Sequence, residues 1–237
     1  MVTPFCRLVV PLVLWSFVGL APKHSCAADS MGIYLGAGVG RTLYDSAFGE
    51  QLRNAYNGSA FTVVDANTTR RHDVGYKAFA GYRFAGPFAL ELSYVDLGEP
   101  RAHYAFRPTT GLINQNLYTR ESTYRIRGVN LAGVGTLPIT DKLSARATVG
   151  AFYSQLDYSE QGRQTSGDVY TFAAPTLRQT NLSYGLGVAY RFAAQWSVRG
   201  DWDRFRNVGQ SFKLTVDDNG RFANIDLFSV NIEYHFR

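Results

Sequence analysis

The final residues of the chain alternate strictly between apolar and polar side chains. The apolar positions are Phe228, Val230, Ile232, Tyr234 and Phe236, and the polar positions between them are Ser229, Asn231, Glu233 and His235. Such period-two alternation predicts a β-strand with one face in an apolar medium and the other in water. A strand of a soluble antiparallel sheet shows the same pattern, so the other strands must decide between a protein core and lipid.

Seven further stretches alternate in the same way. With the last one, the predicted strands are Ile33–Arg41, His72–Phe84, Phe88–Leu97, Tyr124–Leu137, Leu143–Tyr158, Leu182–Phe192, Trp196–Phe205 and Leu227–Arg237. Short turns such as Ala85–Pro87 alternate with long polar segments, which are Thr42–Arg71, Gly98–Glu121, the residues up to Gln179 and those up to Asn224. This order predicts eight antiparallel strands whose connections are long and short in turn.

The two faces of the predicted strands differ in charge. Bulky apolar side chains occupy one face, and the other repeatedly carries charges, at Lys77, Arg83, Glu91, Arg146, Arg191, Arg199, Asp201 and Glu233. Charges are rarely buried singly in a soluble core, and side chains largely fill an eight-stranded barrel. The parity therefore predicts an all-β, up-and-down transmembrane barrel, apolar outside and polar inside, with short periplasmic turns and four long extracellular loops. A soluble lipocalin-like carrier with the opposite parity is the remote alternative.

Strand length and the placement of aromatic residues agree with a membrane barrel. Each predicted strand offers about 9 to 11 residues, the length that a tilted strand needs to cross hydrocarbon. Aromatic residues cluster at the short-turn ends (Tyr82, Phe84, Phe88, Tyr190, Phe192, Trp196, Tyr234 and Phe236) and nearer the opposite ends (Tyr94, Tyr124, Tyr153, Tyr184 and Trp202). Two aromatic girdles at the membrane interfaces are the expected consequence.

The N-terminus reads as a secretory signal. The apolar run Leu8–Leu20 follows Arg7 and precedes Lys23 and a group of small residues, and it is too short to span a membrane. We expect residues 1–28 to be removed and residues 29–237 to form the barrel, the mature chain beginning at Ala28 or Asp29. Secretion without an apolar anchoring helix leaves the periplasm, the outer membrane or the medium as destinations.

Cysteine usage and net charge exclude several classes of protein. Cys6 and Cys26 both fall within the predicted signal, so the mature chain has neither a disulfide nor a thiolate metal site. Without the signal, 22 basic residues remain against 19 acidic ones, a net charge of about +3. That balance is too mild for a protein that binds nucleic acid.

Four segments in order carry a family resemblance. They are Gly75–Lys77 with Gly81–Phe84, then Phe88–Tyr94, then Gly128–Leu131 with Leu137–Asp141, and the closing Tyr234–Phe236. Together they resemble the transmembrane domain of the outer-membrane protein A family and its OmpX-like relatives, over essentially all of residues 29–237.

The resemblance implies a route to the outer membrane. The chain would be exported by the general secretion pathway, escorted by periplasmic chaperones and inserted by the barrel assembly machinery. That machinery would recognise the last strand through Phe228, Val230, Ile232, Tyr234 and Phe236. Arg237 after Phe236 departs from the family pattern and bears on insertion efficiency. Many relatives continue into a peptidoglycan-binding domain, whereas this chain stops at the barrel, so we do not expect tethering of that kind.

The resemblance also implies a cluster of ion pairs inside the barrel. Glu91 and Arg199 stand at an acidic and a basic position of the family pattern, whereas Val134 and Ala189 replace a lysine and a glutamate. We expect Glu91 to pair with Arg199 in a simplified plug. The neighbouring inward charges are Lys77, Arg146, Asp201 and Glu233. The alternative is that these charges merely fill a solvated lumen.

Three arginines have the lipid-facing parity near the extracellular ends of their strands. Arg125, Arg127 and Arg204 lie about 10 residues from their periplasmic turns, which is headgroup depth. A cation costs about 2 to 4 kcal/mol at the bilayer midplane but almost nothing at the interface. Because arginine pairs bidentately with phosphate, we expect these residues to bind lipopolysaccharide.

The favoured function is a structural and surface-interaction role in the envelope. The extracellular loops would serve envelope integrity, adhesion, or contact with host surface molecules or phage; the alternative is a small gated or low-conductance ion pore. We expect no enzyme activity and no cofactor, because His72, His103 and His235 show no catalytic spacing to a nucleophile. Asp217–Gly220 resembles a calcium loop, but the same residues are typical of a turn.

Overall fold

The computed structural model describes residues 31–44, 61–70, 72–108, 117–164, 167–173, 175–209 and 223–236. These residues form eleven strands: β1 (Gly32–Tyr44), β2 (Phe61–Arg70), β3 (His72–Arg83), β4 (Phe88–Asp96), β5 (Arg101–Pro108), β6 (Tyr118–Pro138), β7 (Leu143–Gln164), β8 (Val169–Ala173), β9 (Leu177–Arg191), β10 (Trp196–Val208) and β11 (Ala223–His235). No helix in this part of the chain is long and apolar enough to cross a membrane. The predicted signal peptide and Asp217–Gly220 lie outside the described residues.

Eight of the strands close into a barrel. Its order is β6-β4-β3-β1-β11-β10-β9-β7, and the pairing of β7 with β6 closes the ring. All of these pairings are antiparallel, and β1 lies between β3 and the last strand, β11. The predicted all-β, eight-stranded antiparallel barrel is confirmed.

The three remaining strands correct the prediction of long polar loops. β2, β5 and β8 lie within segments predicted as loops, and β6 and β7 run for 21 and 22 residues. Beyond the barrel, these strands form a sheet in the order β2-β5-β6-β7-β8, which we call the extracellular sheet. The predicted strand lengths were wrong for β6 and β7 because these strands continue past the membrane.

Within the membrane the predicted parity is observed. Outward residues such as Phe88 and Val230 are 64% and 62% exposed, whereas the inward Arg199 is 1% exposed. Gly36 and Gly81 are inward positions where no larger side chain fits, since an added Cβ would lie 2.2 Å from the Phe79 ring and 2.0 Å from the Tyr34 ring, respectively. Glycine here makes room for the large side chains that fill a narrow barrel.

Above the membrane the parity is reversed. Apolar side chains from the upper ends of the strands point inward and form a buried cluster, the extracellular core: Tyr44, Val95, Leu97, Ala102, Tyr104, Phe106, Tyr124, Ile126, Phe152, Leu156, Tyr158, Phe205, Val208, Ile225 and Leu227. The rings of Phe152 and Phe205 lie 4.5 Å apart at their centroids. Tyr124, predicted in the outer aromatic girdle, is buried in this core instead. The upper part of the molecule therefore packs like a water-soluble β-protein.

Candidate functional site

A network of ion pairs fills the membrane-embedded half of the barrel. It consists of Lys77, Glu91, Arg146, Arg199, Asp201, Asp203 and Glu233, and we call it the lumen network. The period of two aims these side chains inward from β3, β4, β7, β10 and β11. All seven are buried or nearly so.

Arg199 lies at the centre of the lumen network. Its Nη1 is 2.9 Å from Glu91 Oε2 and 2.9 Å from Glu233 Oε2, and its Nε is 2.6 Å from Asp201 Oδ2. Its guanidinium carbon also lies 3.9 Å from the centroid of the Phe79 ring. One cation therefore holds three carboxylates from three strands, in a dry environment where losing any partner is costly.

The other two bases cross-link the same carboxylates. Arg146 lies 3.1 Å from Glu91 and 3.2 Å from Glu233. Lys77 Nζ lies 2.9 Å from Asp203, 3.7 Å from Glu91 and 3.8 Å from Asp201. All six predicted lumen residues thus lie in one network. Asp203 was not predicted, although it shares a strand and a parity with Arg199 and Asp201.

Neutral residues complete the packing around the network. The hydroxyl of Tyr34 donates a hydrogen bond to Glu91 Oε2 at 3.1 Å. Val134 and Ala189, which replace the lysine and glutamate of the family pattern, are both buried. The network contains four acidic and three basic residues, and it occupies the barrel cross-section with paired charge.

His235 closes the periplasmic end of the network and brings a serine and a carboxylate close to an imidazole. Its Nε2 lies 2.8 Å from Glu233 Oε1 and 3.4 Å from Ser197 Oγ. Sequence spacing missed this arrangement, because Ser197 comes from the neighbouring strand β10. A catalytic relay needs the serine on one ring nitrogen and the acid on the other. Here Glu233 and Ser197 both lie next to the same nitrogen, Nε2 of His235, so the three side chains do not form a catalytic triad.

A second buried polar group lies within the extracellular core. The Glu160 carboxylate accepts hydrogen bonds from the hydroxyls of Tyr104, at 2.6 Å, and Tyr158, and it lies 2.9 Å from Arg120 Nη1. Burial, followed by the charge of Tyr124, raises the pKa of Tyr158 well above its ordinary value. Burial alone would lower the pKa of Arg120, but the charge of Glu160 outweighs it and raises that pKa. The group joins β5, β6 and β7.

The raised pKa of Tyr158 predicts a loss of stability in alkali. Above about pH 10 the unfolded chain releases this proton while the folded chain keeps it, so folding weakens by up to about 1.4 kcal/mol per pH unit. Below pH 10 both states hold the proton and the contribution is constant. The measurement is urea unfolding from pH 8 to 11.5 for the parent and Tyr158→Phe. We expect a shallower alkaline slope in the variant, and equal slopes would contradict the assignment.

Outside the barrel, arginines form a collar directly above the apolar band. The collar comprises Arg41, Arg125, Arg127, Arg178, Arg204 and Arg206, interspersed with Asp96, Asp157 and Asp226. Arg127 lies 3.3 Å from Asp157, Arg125 lies 3.6 Å from Asp96, and Arg204 lies 3.8 Å from Asp226. The arginine side chains in these pairs remain about a third to a half exposed. The collar is therefore held in place by acids yet is open to solvent.

The collar contains the three predicted outward arginines and three that the sequence reading missed. Arg41, Arg178 and Arg206 are all exposed. Arg178 lies opposite Gln155, which in turn lies opposite Arg127. The missed residues fell near or beyond predicted strand ends, where the parity of each position was not assigned. Glu99, 3.9 Å from Arg125, is a fourth acid beside the three aspartates. The six arginines exceed these four acids, so the collar carries net positive charge.

The last strand presents the predicted assembly residues along one face. Phe228, Val230, Ile232 and Phe236 are exposed, and the Tyr234 ring packs edge-on against Trp196 and Phe236 with centroid distances of 4.9 Å. β11 pairs along its length with β1 and β10, so this strand joins the first strand of the chain to β10.

Comparison with known proteins agrees with this architecture. A family model described as the OmpA-like transmembrane domain matches residues 28–237. The chain belongs to this family. An OmpA-like domain of this extent is an integral part of the outer membrane, so the apolar band lies in that bilayer. A search of curated protein sequences finds no match.

Solved structures of outer-membrane barrels match this OmpA-like domain at low identity and low TM-score. Ail of Yersinia pestis, solved in complex with the heparin analogue sucrose octasulfate, is 11% identical over 87% of this chain and 99% of its own, with a TM-score of 0.45. The N-terminal β-barrel domain of Pseudomonas aeruginosa OprF is 11% identical over 86% and 98%, with a TM-score of 0.43. The Escherichia coli outer membrane protease OmpT is 11% identical over 90% and 100%, with a TM-score of 0.39.

Proposed function

We propose that this protein is a non-catalytic structural barrel that binds lipopolysaccharide at its collar and presents the extracellular sheet to the cell's surroundings. The arginine collar carries the proposal. The collar lies on the outer surface of the barrel directly above the apolar band, at the depth where the phosphate groups of outer-leaflet lipid lie. Arginine forks bind phosphate bidentately, and the paired arginines of the collar remain about a third to a half exposed.

The filled interior supports an exterior role over transport. The buried ion pairs of the lumen network lie within the membrane half of the barrel, and the extracellular core lies above them. An ion crossing the barrel would have to displace both layers. The lipocalin-like alternative requires an apolar interior at membrane depth, where this chain places seven charged side chains.

Removing the predicted arginines should weaken stabilisation by lipopolysaccharide. We expect Arg125→Ala/Arg127→Ala/Arg204→Ala to lose most of the rise in Tm that lipopolysaccharide gives the parent, because three phosphate-binding forks are gone. In phospholipid alone the loss should be small, since exposed ion pairs contribute about 0.2 to 1 kcal/mol each. The measurement is Tm in micelles of phospholipid with and without lipopolysaccharide, at low and high salt.

The matched control removes the three aspartate charges and keeps the arginines; the 3.9 Å pair between Arg125 and Glu99 remains. Asp96→Asn/Asp157→Asn/Asp226→Asn leaves every arginine in place. If the arginines bind lipid, this variant keeps or increases the lipopolysaccharide response. If both triple variants lost the lipopolysaccharide-dependent rise in Tm equally, the effect would come from the ion pairs and not from phosphate binding. The proposal would then be dropped.

The same proposal includes the route of assembly and the use of the surface. The outward face of β11 would be recognised by the barrel assembly machinery after chaperone escort, and the loops would contact phage or host surface molecules. A boiled-versus-unboiled mobility shift of the outer-membrane fraction in SDS gels tests for a detergent-resistant barrel. A mature protein that is soluble in the periplasm and shows no shift would refute the membrane assignment.

A further inference from the structure

The outer face of the extracellular sheet carries a second tier of cations. Parity on β5, β6 and β7 places Arg101, His103, Arg107, Thr119, Glu121, Thr123, Ser159, Gln161 and Arg163 on this face, opposite the extracellular core. We call it the upper arginine face. Arg107 and Arg163 are exposed. Between the arginines the face bears hydroxyl and amide groups, the donors and acceptors that bind sugar hydroxyls.

Arg107 and Arg163 lie at the outer end of this face, where Asp65 of the neighbouring strand β2 also lies, opposite Ala105. Neither Arg107 nor Arg163 forms an ion pair with any of the described residues, whereas Arg101 lies 3.6 Å from Glu121. The hydroxyl of Thr119 donates a hydrogen bond to the backbone carbonyl of Arg163 at 3.3 Å, which ties the two strands at this height. Among the described residues, these two guanidinium groups thus project from the sheet without an ion-pair partner.

The height of this tier restricts the ligand. The pair Arg125–Asp157 belongs to the collar, and Thr119–Arg163 lies six residues further along the same two strands. At about 3.3 Å per residue this is about 20 Å along the strands. Because barrel strands are tilted by about 40°, the height above the collar is about 15 Å. A phospholipid phosphate lies at the membrane surface and does not reach that height. A molecule bound by both tiers must be anchored in the outer leaflet and carry anionic groups on an oligosaccharide that rises from it.

We propose that the upper arginine face binds phosphate groups of the core oligosaccharide of lipopolysaccharide, in the same molecules whose lipid A phosphates are held by the collar. This inference rests on the proposed function. The collar would select any anionic lipid headgroup, and the upper tier adds selection for a phosphorylated sugar chain. Hydroxyl and amide side chains between the tiers contact the sugars, and the underlying core keeps the face from bending.

The test compares three lipopolysaccharides with the mature protein in phospholipid nanodiscs. The first has a phosphorylated inner core, the second has the same sugars without core phosphates, and the third is truncated to lipid A with its first acidic sugars. The variants are Arg107→Gln/Arg163→Gln and the triple collar variant. The control, Arg101→Gln/Glu121→Gln, removes an ion pair from the same face without changing its net charge.

We expect the parent to bind the phosphorylated core about tenfold more tightly than the unphosphorylated core, as charge-assisted hydrogen bonds to two arginines allow. Arg107→Gln/Arg163→Gln should bring that ratio close to one and leave the Kd for the truncated form unchanged. The control should keep the parent's ratio. The collar variant should weaken binding of all three forms by a similar factor.

The outcomes separate this inference from the proposed function. An unchanged ratio in Arg107→Gln/Arg163→Gln would overturn the upper tier while the collar could still bind lipid A. Unchanged binding in the collar variant would instead overturn the proposed lipid role. If a soluble sulfated polysaccharide bound the parent through Arg107 and Arg163 while core phosphates had no effect, the ligand would be an external polyanion, and the inference would be wrong.

Discussion

Arg199→Ala is expected to lower the free energy of unfolding by about 3 to 5 kcal/mol, the cost of breaking a buried ion pair from one side. The side chain is 1% exposed and contacts Glu91, Asp201 and Glu233. Without it, four carboxylates face only two bases, and water must enter a packed barrel to solvate them. Urea unfolding of the parent and the variant in lipid vesicles, followed by tryptophan fluorescence, measures the difference.

Two controls isolate the buried charge from the loss of a side chain. Arg127→Ala removes an arginine from a pair that is about one third exposed, 3.3 Å from Asp157, and should cost no more than about 1 kcal/mol. Adding Glu91→Gln to Arg199→Ala should restore part of the lost stability, because one uncompensated carboxylate disappears. A cost below about 1 kcal/mol for Arg199→Ala would mean that the lumen charges are solvated. In that case single-channel conductance should be measured, because a solvated lumen would favour the alternative function, a small ion pore.

Membrane strands were predictable because lipid and lumen impose opposite demands on alternate residues. Leu90 and Leu92 face lipid, while Glu91 between them points into the barrel. A shift of one residue would place a carboxylate in hydrocarbon, so the register is strongly specified. The face of each lumen charge followed from this parity, as did the exterior position of Arg125, Arg127 and Arg204.

The partners of each lumen charge could not be predicted to the same extent. Glu91 and Arg199 are 108 residues apart, and their contact depends on the stagger of strands around a closed barrel. Parity assigns a side chain to a face but does not assign its height along the axis. The family resemblance supplied the pair Glu91–Arg199. The roles of Asp203, and of Ser197 beside His235, depend on the closed barrel and its register.

The extracellular sheet was missed because its inward face mixes polar and apolar residues. Along β6, Arg120 and Ser122 point inward together with Tyr124, so simple alternation of hydrophobicity fails there. One signal was present in the sequence. Tyr124 and Ile126 share one parity and Val129 and Leu131 the other, a change of phase that marks where the strand leaves lipid and joins a protein core.

The same change of phase marks the boundary between the membrane-embedded half of the barrel and the extracellular core above it. In β11, Leu227 points into the extracellular core and the next residue, Phe228, points into lipid. The outer membrane boundary therefore lies at this step, and the collar residue Asp226 lies just above it. A rigid core above the boundary fixes the height and direction of the upper arginine face. A flexible loop bearing the same arginines would lose more entropy on binding.

Phe152→Ala tests the extracellular core directly and is expected to cost about 3 to 5 kcal/mol, the range for removing a buried aromatic side chain. The Phe152 ring is fully buried and packs 4.5 Å from Phe205. Gln155→Ala is the matched control on the same strand, because Gln155 faces outward and should contribute within about 0.5 kcal/mol. Urea unfolding measures both variants. If Phe152→Ala also weakens the preference for phosphorylated core while Gln155→Ala does not, packing of the core positions the upper arginine face. Equal, small effects of the two variants on stability would mean that the long strands do not share a packed core above the membrane.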